Sequence, residues 1–156
     1  MLSLTKKALC VICLGLIGCG GDPAAVAPDA GVSDLAQRAG APLFEGMGAF
    51  HMPVTTADPD AQRYFDQGMV LAFGFNHAES IRSFRAAQTL DPDCAMCFWG
   101  EALATGPNIN VTSNGKAIMS ADERVGARAA IDKALGLLAG LTEKEQTWIR
   151  ALDQRY

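Results

Sequence analysis

Residues 61–94 read AQRYFDQGMVLAFGFNHAESIRSFRAAQTLDPDC, and this stretch decides the fold. The turn at 74–76 divides it into two helical halves. The first half predicts a helix over 59–73, because Asp58 can cap its first turn and proline is tolerated at the first helical position. The second half predicts a helix over 77–90, which ends where proline follows and cannot continue the hydrogen-bond ladder. The stretch therefore predicts two helices joined by a tight turn.

The same 34 residues also carry bulky and small side chains at fixed intervals. The informative positions are Tyr64, Gly68, Leu71, Ser80, Phe84, Ala87 and Pro92. This spacing resembles the tetratricopeptide repeat, a 34-residue helix–turn–helix unit. The resemblance implies an all-α solenoid of about two and a half repeats over 58–156. The stretch 75–110 is similar to the N-terminal part of longer exported bacterial tetratricopeptide proteins.

Later helix starts follow the same rules. A third helix is expected over 94–105, followed by a long loop over 106–120. Ser120 with Glu123, and Thr142 with Glu145, have the spacing of a capping box, in which each side chain satisfies the other residue's backbone N–H. We therefore expect a fourth helix that ends near Gly140 and a fifth from 143 to the end of the chain. Repeat starts near 61, 95 and 142 place the extra residues in the 106–120 loop.

The N-terminus has the composition of an export signal. Lys6 and Lys7 precede an apolar run over 8–18, which is too short to cross a membrane. Leu16-Ile17-Gly18-Cys19 resembles the lipobox of bacterial lipoproteins, in which the cysteine carries the lipid. The alternative is an ordinary secretory signal that is cleaved nearby.

The lipobox resemblance implies a signal peptide over 1–18 and lipidation at Cys19. Because Gly20, rather than aspartate, follows the cysteine, we expect anchoring in the outer membrane, facing the periplasm. Residues 19–42 are rich in Gly, Ala, Pro and Asp and predict a flexible tether. Residues 43–57 predict an approach segment without a clear secondary structure.

The charge balance argues against nucleic acid as a partner. The chain has 13 basic and 17 acidic residues, and removing Lys6 and Lys7 changes the formal charge from −4 to about −6. No basic patch remains to neutralise phosphates. We therefore expect a protein or peptide partner, and a membrane contact through the lipid anchor.

In tetratricopeptide proteins, the first helix of each repeat lines a concave groove. The resemblance implies that the partner-binding groove is formed by Phe65, Met69, Phe73, Met96, Trp99 and Leu103. Methionine adapts to irregular shapes and aromatic residues bury a large area, so this set suits an amphipathic helix or an extended apolar segment. The alternative is that these side chains belong to the core.

Cys94 and Cys97 are the two cysteines expected in the folded part. At three residues apart on a helix, their Cα atoms lie about 5 Å apart, which is within disulfide range. The spacing leaves three alternatives: two packed thiols, a local disulfide, or metal or redox chemistry. Phe98 stands where a haem attachment motif needs histidine, and outside the predicted signal the sequence has no second CxxC motif for zinc.

The two histidines, His51 and His77, offer a rival function. Together with Cys94 and Cys97 they could hold a small ligand or a metal, on their own or in a larger enzyme, with Asp66, Glu101, Asn108 and Asn110 as neighbours. The sequence contains no nucleophile elbow, phosphate loop or paired-histidine metal motif. We therefore expect a non-enzymatic scaffold with no cofactor and no metal.

The last predicted helix carries an apolar face formed by Trp148, Ile149, Leu152 and Tyr156. Helical repeats bury their apolar faces against neighbours, and about three are usually needed. We therefore expect this face to pack against further repeats beyond 156 or against a second copy.

Overall fold

A computed structural model describes residues 30–156, which are all-α apart from one short β-hairpin. The predicted signal over 1–18 and the lipidation site Cys19 lie outside these residues. The elements are α1 (Ala30–Ala39), α2 (Pro59–Phe73), α3 (His77–Leu90), α4 (Ala95–Thr105), β1 (Thr112–Ser113), β2 (Lys116–Ala117), α5 (Ala121–Gly136) and α6 (Glu143–Asp153). Within residues 30–156, no helix has both the length and the apolar character that crossing a membrane requires.

Helices α2 and α3 begin and end at the predicted residues, and their caps explain why. The Asp58 carboxylate accepts hydrogen bonds from the backbone N–H groups of Asp60, at 2.7 Å, and Ala61, at 3.3 Å. The Asn76 side chain accepts from the N–H of Glu79 at the start of α3. Glu79 does not complete a capping box with Asn76, because its carboxylate pairs with Arg82.

Helices α2 and α3 lie side by side and antiparallel. The Ser80 hydroxyl donates to the Gly68 carbonyl at 2.7 Å, and one turn away Gln67 donates to the Ser83 hydroxyl at 2.9 Å. The fully buried ring of Phe84 then fills the space between Gly68 on α2 and Gly100 on α4. Two glycines at this level let three helices approach one aromatic ring, which forms the centre of the core.

The last two helices start with the predicted capping boxes, at Ser120 for α5 and Thr142 for α6. The predicted ends were wrong. Helix α5 stops at Gly136, and Gly140 lies in the turn that follows, with a φ of 83°. Helix α6 stops at Asp153, because the chain turns there and the Tyr156 hydroxyl contacts carbonyls at the end of α4.

Part of the predicted tether is helical. Helix α1 covers Ala30–Ala39, within the 19–42 stretch that showed no helical period. Leu35, Ala39 and Ala41 are buried, and α1 packs against α3. The Ala41 carbonyl also accepts a hydrogen bond from the buried Tyr64 hydroxyl at 2.6 Å. Residues 30–42 are therefore part of the folded domain, because these three apolar side chains are buried against the rest of it.

The 106–120 loop contains a two-stranded antiparallel hairpin that the sequence reading did not predict. Strands β1 and β2 pair Thr112 with Ala117 and Ser113 with Lys116. Asn114 and Gly115 connect them and both have positive φ, at 51° and 73°. Asn-Gly is the preferred pair for such two-residue turns, so this dipeptide was the available signal.

Candidate functional site

Helices α2, α4 and α6 enclose an apolar groove with a volume of about 560 Å³. Three helices each contribute two side chains four residues apart, which places both on one helix face. The groove is lined by Met69, Phe73, Trp99, Leu103, Trp148, Leu152, Ala151 and Met52. We call this surface the apolar groove. Phe73 is 69% exposed at its mouth, although phenylalanine is a residue that folding normally buries.

The structure places four of the six predicted groove residues in the apolar groove: Met69, Phe73, Trp99 and Leu103. Phe65 and Met96 are fully buried instead, so their assignment to the groove was wrong. Phe65 lies one turn before Met69, where its ring packs against that of Phe84 in α3 with centroids 5.5 Å apart. Met96 lies in the first turn of α4, whose neighbouring residues are also fully buried.

The wall opposite α2 comes from α6, which the sequence reading did not assign to the groove. Trp148 stacks on Trp99 with ring centroids 5.8 Å apart and an interplanar angle of 23°, and the indole N–H of Trp99 donates to the Trp148 carbonyl at 3.2 Å. Lys144 lies 4.5 Å from the Trp148 ring centre in a cation–π contact. Ile149 and Leu152 are buried, and Trp148 and Tyr156 are half-buried, so most of the apolar face of α6 already packs within the described residues.

Residues 43–57, the predicted approach segment, form an extended strap across the helices. The strap has no regular secondary structure, so its backbone N–H groups need other partners. Side chains of the helices and their caps accept hydrogen bonds from these N–H groups. On α2, Gln67 accepts from Phe44 at 2.6 Å, Asp66 from Met52 at 3.0 Å and Gln62 from Val54 at 3.0 Å. Further along the strap, Glu145 accepts from Thr55 at 2.6 Å and Asp91 from Ala57 at 2.9 Å. These bonds fix the strap and thereby position Met52 at the groove.

Glu145 is the strongest of these anchors. Its buried carboxylate accepts from the N–H and the hydroxyl of Thr55, at 2.6 and 2.8 Å, and from the N–H and the hydroxyl of Thr142, at 3.0 and 2.7 Å. Burial raises the pKa of Glu145, but the four hydrogen bonds outweigh it, so the pKa lies below its ordinary value. The ionised carboxylate thus ties the strap to α6.

A second, smaller cavity of about 230 Å³ adjoins the groove and shares Met69, Phe73 and Leu103 with it. Its remaining lining combines apolar residues with four polar ones, His77, Asn108, Asn110 and Arg155. We call this cavity the polar pocket. Phe75 and Ile109, at 59% and 80% exposure, stand at its rim.

Two of the predicted ligand-site residues meet in this pocket. His77 Nε2 lies 2.9 Å from Asn110 Oδ1, across 33 residues of sequence. Within residues 30–156, His77 Nδ1 is buried and has no hydrogen-bond partner. The Asn108 side chain donates to the Ala104 carbonyl at 2.8 Å and holds the loop against the end of α4.

The other members of the predicted ligand set are engaged elsewhere. His51 Nδ1 lies 2.8 Å from Asp66, and the Glu101 carboxylate accepts from Arg85 and Gln88, both at 2.7 Å. Cys94 and Cys97 form a disulfide, with Cα atoms 5.4 Å apart, and both are fully buried. Of the three alternatives for the cysteines, the structure therefore has the local disulfide.

In the part of the chain that the structure describes, no three His, Cys, Asp or Glu side chains are grouped so that they could hold a metal ion. The disulfide sulfurs are also not available as thiolate ligands. The structure therefore does not assemble the metal site that the sequence offered through His51, His77, Cys94 and Cys97. For the alternative small-ligand site, His77 and Asn110 are the predicted residues that the structure brings into contact.

The chain matches no known family model, and no curated protein or solved structure matches it.

Proposed function

We propose that this protein is a non-enzymatic, tetratricopeptide-type scaffold that binds the apolar face of a partner helix or an extended apolar segment in the apolar groove. The observation that carries the proposal is the groove itself. Three pairs of apolar side chains converge on it, and Phe73 is left 69% exposed at its mouth. Exposed apolar surface of this kind is typical of protein interaction sites.

The repeat architecture is supported by the helical hairpin and its spacing. The turn at 74–76 joins α2 to α3 in an antiparallel pair, and α4 begins at Ala95, 36 residues after α2 begins at Pro59, which is close to the 34-residue period of the repeat. Phe84, at the centre of the hairpin, contacts α2 and also α4. In this scheme α4 and α5 form the second unit, with the 106–120 loop as its insertion, and α6 begins a third.

The proposed location follows from the lipobox at Leu16–Cys19. Cys19 carries the lipid, and the scaffold faces the periplasm from the outer membrane. An oxidising compartment is consistent with the disulfide between Cys94 and Cys97, because such bonds persist in the periplasm and are rare in the cytosol. The disulfide fixes the start of α4, the helix that carries Trp99 and Leu103.

Calorimetric titration of the purified chain tests the proposal. The ligand is a leucine-rich amphipathic peptide, and the control is a peptide of identical composition whose apolar face has been scrambled. We expect saturable binding of the amphipathic peptide alone, because only it presents a continuous apolar stripe to the groove. Equal binding of both peptides would show that the contact is non-specific.

A matched pair of variants locates the contact. Phe73→Ser removes the exposed ring at the mouth of the groove and should weaken binding about tenfold, as expected for an aromatic residue at the centre of an interface. Phe50→Ser removes a 41% exposed phenylalanine that does not line the groove and should leave affinity unchanged. Equal effects of the two substitutions would place the binding site elsewhere.

A further inference from the structure

Two basic side chains flank the α6 wall of the apolar groove. Lys144, Trp148, Ala151 and Arg155 follow one another at intervals of four, three and four residues, so they share one face of α6 and of the turn that continues it. Trp148 and Ala151 line the groove, and Lys144 Nζ lies 4.5 Å from the Trp148 ring centre. Arg155 lines the polar pocket, which adjoins the groove. The apolar wall of α6 therefore has a positive charge at each end.

Both of these charges are available to a partner. Lys144 and Arg155 are exposed, and none of the ion pairs formed within residues 30–156 includes either of them. Four other arginines of the described residues each pair with a carboxylate. Arg155 instead donates from Nη2 to the Pro107 carbonyl at 2.6 Å, which holds the side chain in place without neutralising its charge.

Among residues 30–156, no carboxylate lines the apolar groove or the polar pocket. The acidic side chains on the neighbouring helices are engaged elsewhere. Asp66 of α2 accepts from the N–H of Met52 in the strap, and Asp153 of α6 pairs with Arg128 of α5. The chain as a whole has a formal net charge of −4, so this surface differs in sign from the average of the molecule. Charge complementarity therefore favours a negatively charged partner.

The shape of the same surface favours a helix. Lys144 and Arg155 are eleven residues apart, which corresponds to three turns and about 16 Å along a helix axis. The apolar side chains of the groove come from three helices that enclose it. A helix with apolar residues at intervals of three and four can pack its stripe against them. Such a concave surface fits a rod better than the flat surface of a membrane.

We infer that the partner bound in the apolar groove is an acidic amphipathic helix, with one carboxylate at each end of a three-turn apolar stripe. One carboxylate pairs with Lys144 and the other pairs with Arg155, while the stripe packs on the groove between them. The inference rests on the proposed function, because it names the chemistry of the partner for the same groove. The two ion pairs lie at the edge of the apolar contact, where charges select the partner and its register.

Three peptides test the inference by calorimetric titration of the purified full chain. They share one leucine stripe and differ at two flanking positions, eleven residues apart, which carry Glu, Gln or Lys. At low salt we expect the Glu peptide to bind about three- to tenfold more tightly than the Gln peptide, as two exposed ion pairs allow, and the Lys peptide to bind more weakly than both. Raising the salt to about 0.5 M should reduce these differences to less than about twofold, because salt screens exposed charges.

Matched variants connect the preference to the two cations. Lys144→Gln and Arg155→Gln should each reduce the preference for Glu over Gln by about two- to threefold, and the double variant should remove it. The controls are Lys133→Gln, at an exposed lysine 5.8 Å from the ring centre of Phe98, and Arg150→Gln, at an exposed arginine of α6. Neither control residue lines the groove or the pocket, so both variants should keep the preference. A preference that survives in the double variant would overturn the inference.

The outcomes also separate this inference from the groove proposal. Equal binding of the three peptides, or tightest binding of the Lys peptide, would overturn the acidic partner and leave the groove as the binding surface. If none of the peptides binds, both proposals fail. Displacement of the peptide by anionic phospholipid vesicles would identify a membrane surface as the occupant. A dimer of the chain that the peptide dissociates, measured by sedimentation, would identify a second copy. Either result would overturn the inference.

Discussion

Replacing Gly100 by alanine tests the packing on which the groove depends. The buried Phe84 ring lies against two helical glycines, and a Cβ at Gly100 would come within 2.3, 2.5 and 2.6 Å of three ring carbons. A Cβ at Gly68 would come within 2.7 to 2.9 Å of the same ring. Real Cβ atoms essentially never approach so closely, so the ring or the helix must move.

The expected magnitude follows from two opposing effects. Overfilling a well-packed core costs about 1–3 kcal/mol. Alanine in place of glycine inside a helix returns about 1 kcal/mol through its better helix propensity. The net range is roughly 0–2 kcal/mol. The 2.3 Å contact places Gly100→Ala towards the upper end of this range, and Gly68→Ala, with its longer contacts, should destabilise the protein less. In a domain of this size, 1 kcal/mol shifts the melting temperature by about 4 °C.

Thermal unfolding followed by circular dichroism provides the assay, and α5 provides the control. Gly126 lies inside that helix with nothing within 4 Å of an added Cβ, so Gly126→Ala should raise the melting temperature by a few degrees. Phe84→Leu should partly compensate Gly100→Ala in the double variant, since it removes the ring that causes the clash. A Gly100→Ala protein that melts at or above the wild type would refute the three-helix packing around Phe84.

Four further predictions concern the strap, the pH dependence of stability, the disulfide and the groove. Glu145→Gln should lower the free energy of unfolding, measured by chemical denaturation, by roughly 2–3 kcal/mol, because a neutral amide cannot accept all four hydrogen bonds of the carboxylate. The control Thr147→Ala, at an exposed position on the same helix, should lower it by less than about 1 kcal/mol. The pKa values of Glu145 and Asp91 are both lowered, so their contribution is present above the ordinary values of 4.5 and 3.8 and is lost as the pH falls below them; melting temperatures that do not fall between pH 6 and pH 3 would contradict this. Reducing the Cys94–Cys97 disulfide, monitored by mass, should cost about 2 kcal/mol of stability, the value expected for a four-residue loop. Phe73→Ser should leave the melting temperature within about 2 °C of the wild type, because the ring is 69% exposed; a larger drop would show that Phe73 is part of the core.

The sequence predicted the helices where local chemistry determines them. The N-caps hydrogen-bond to backbone N–H groups only a few residues away, as at Asp58, at Ser120 with Glu123 and at Thr142 with Glu145. The local sequence was therefore sufficient to predict where these helices begin. Helix ends were less accurate, as at Gly140, because α5 ends where its packing ends and not at the nearest glycine. Helix α1 was missed since it depends on α3, which is distant in sequence.

The candidate site was predictable only in part for the same reason. The tetratricopeptide resemblance assigned Met69, Phe73, Trp99 and Leu103 to the groove, where the structure places them, but it did not indicate which face of each helix the core of this chain would cover. The tetratricopeptide resemblance assigned Phe65 and Met96 to the groove as well, and both are buried instead. The contributions of the strap and α6 required long-range contacts, such as Thr55 with Glu145, that no local pattern shows.

The fluorescence of the two tryptophans tests the binding account most directly. The chain contains two tryptophans, and both Trp99 and Trp148 line the apolar groove. Titration with the amphipathic peptide should shift their emission to shorter wavelength, with the same midpoint as the calorimetric curve, because the ligand displaces water from both rings. Saturable peptide binding that leaves the emission unchanged would show that the groove is not the binding surface.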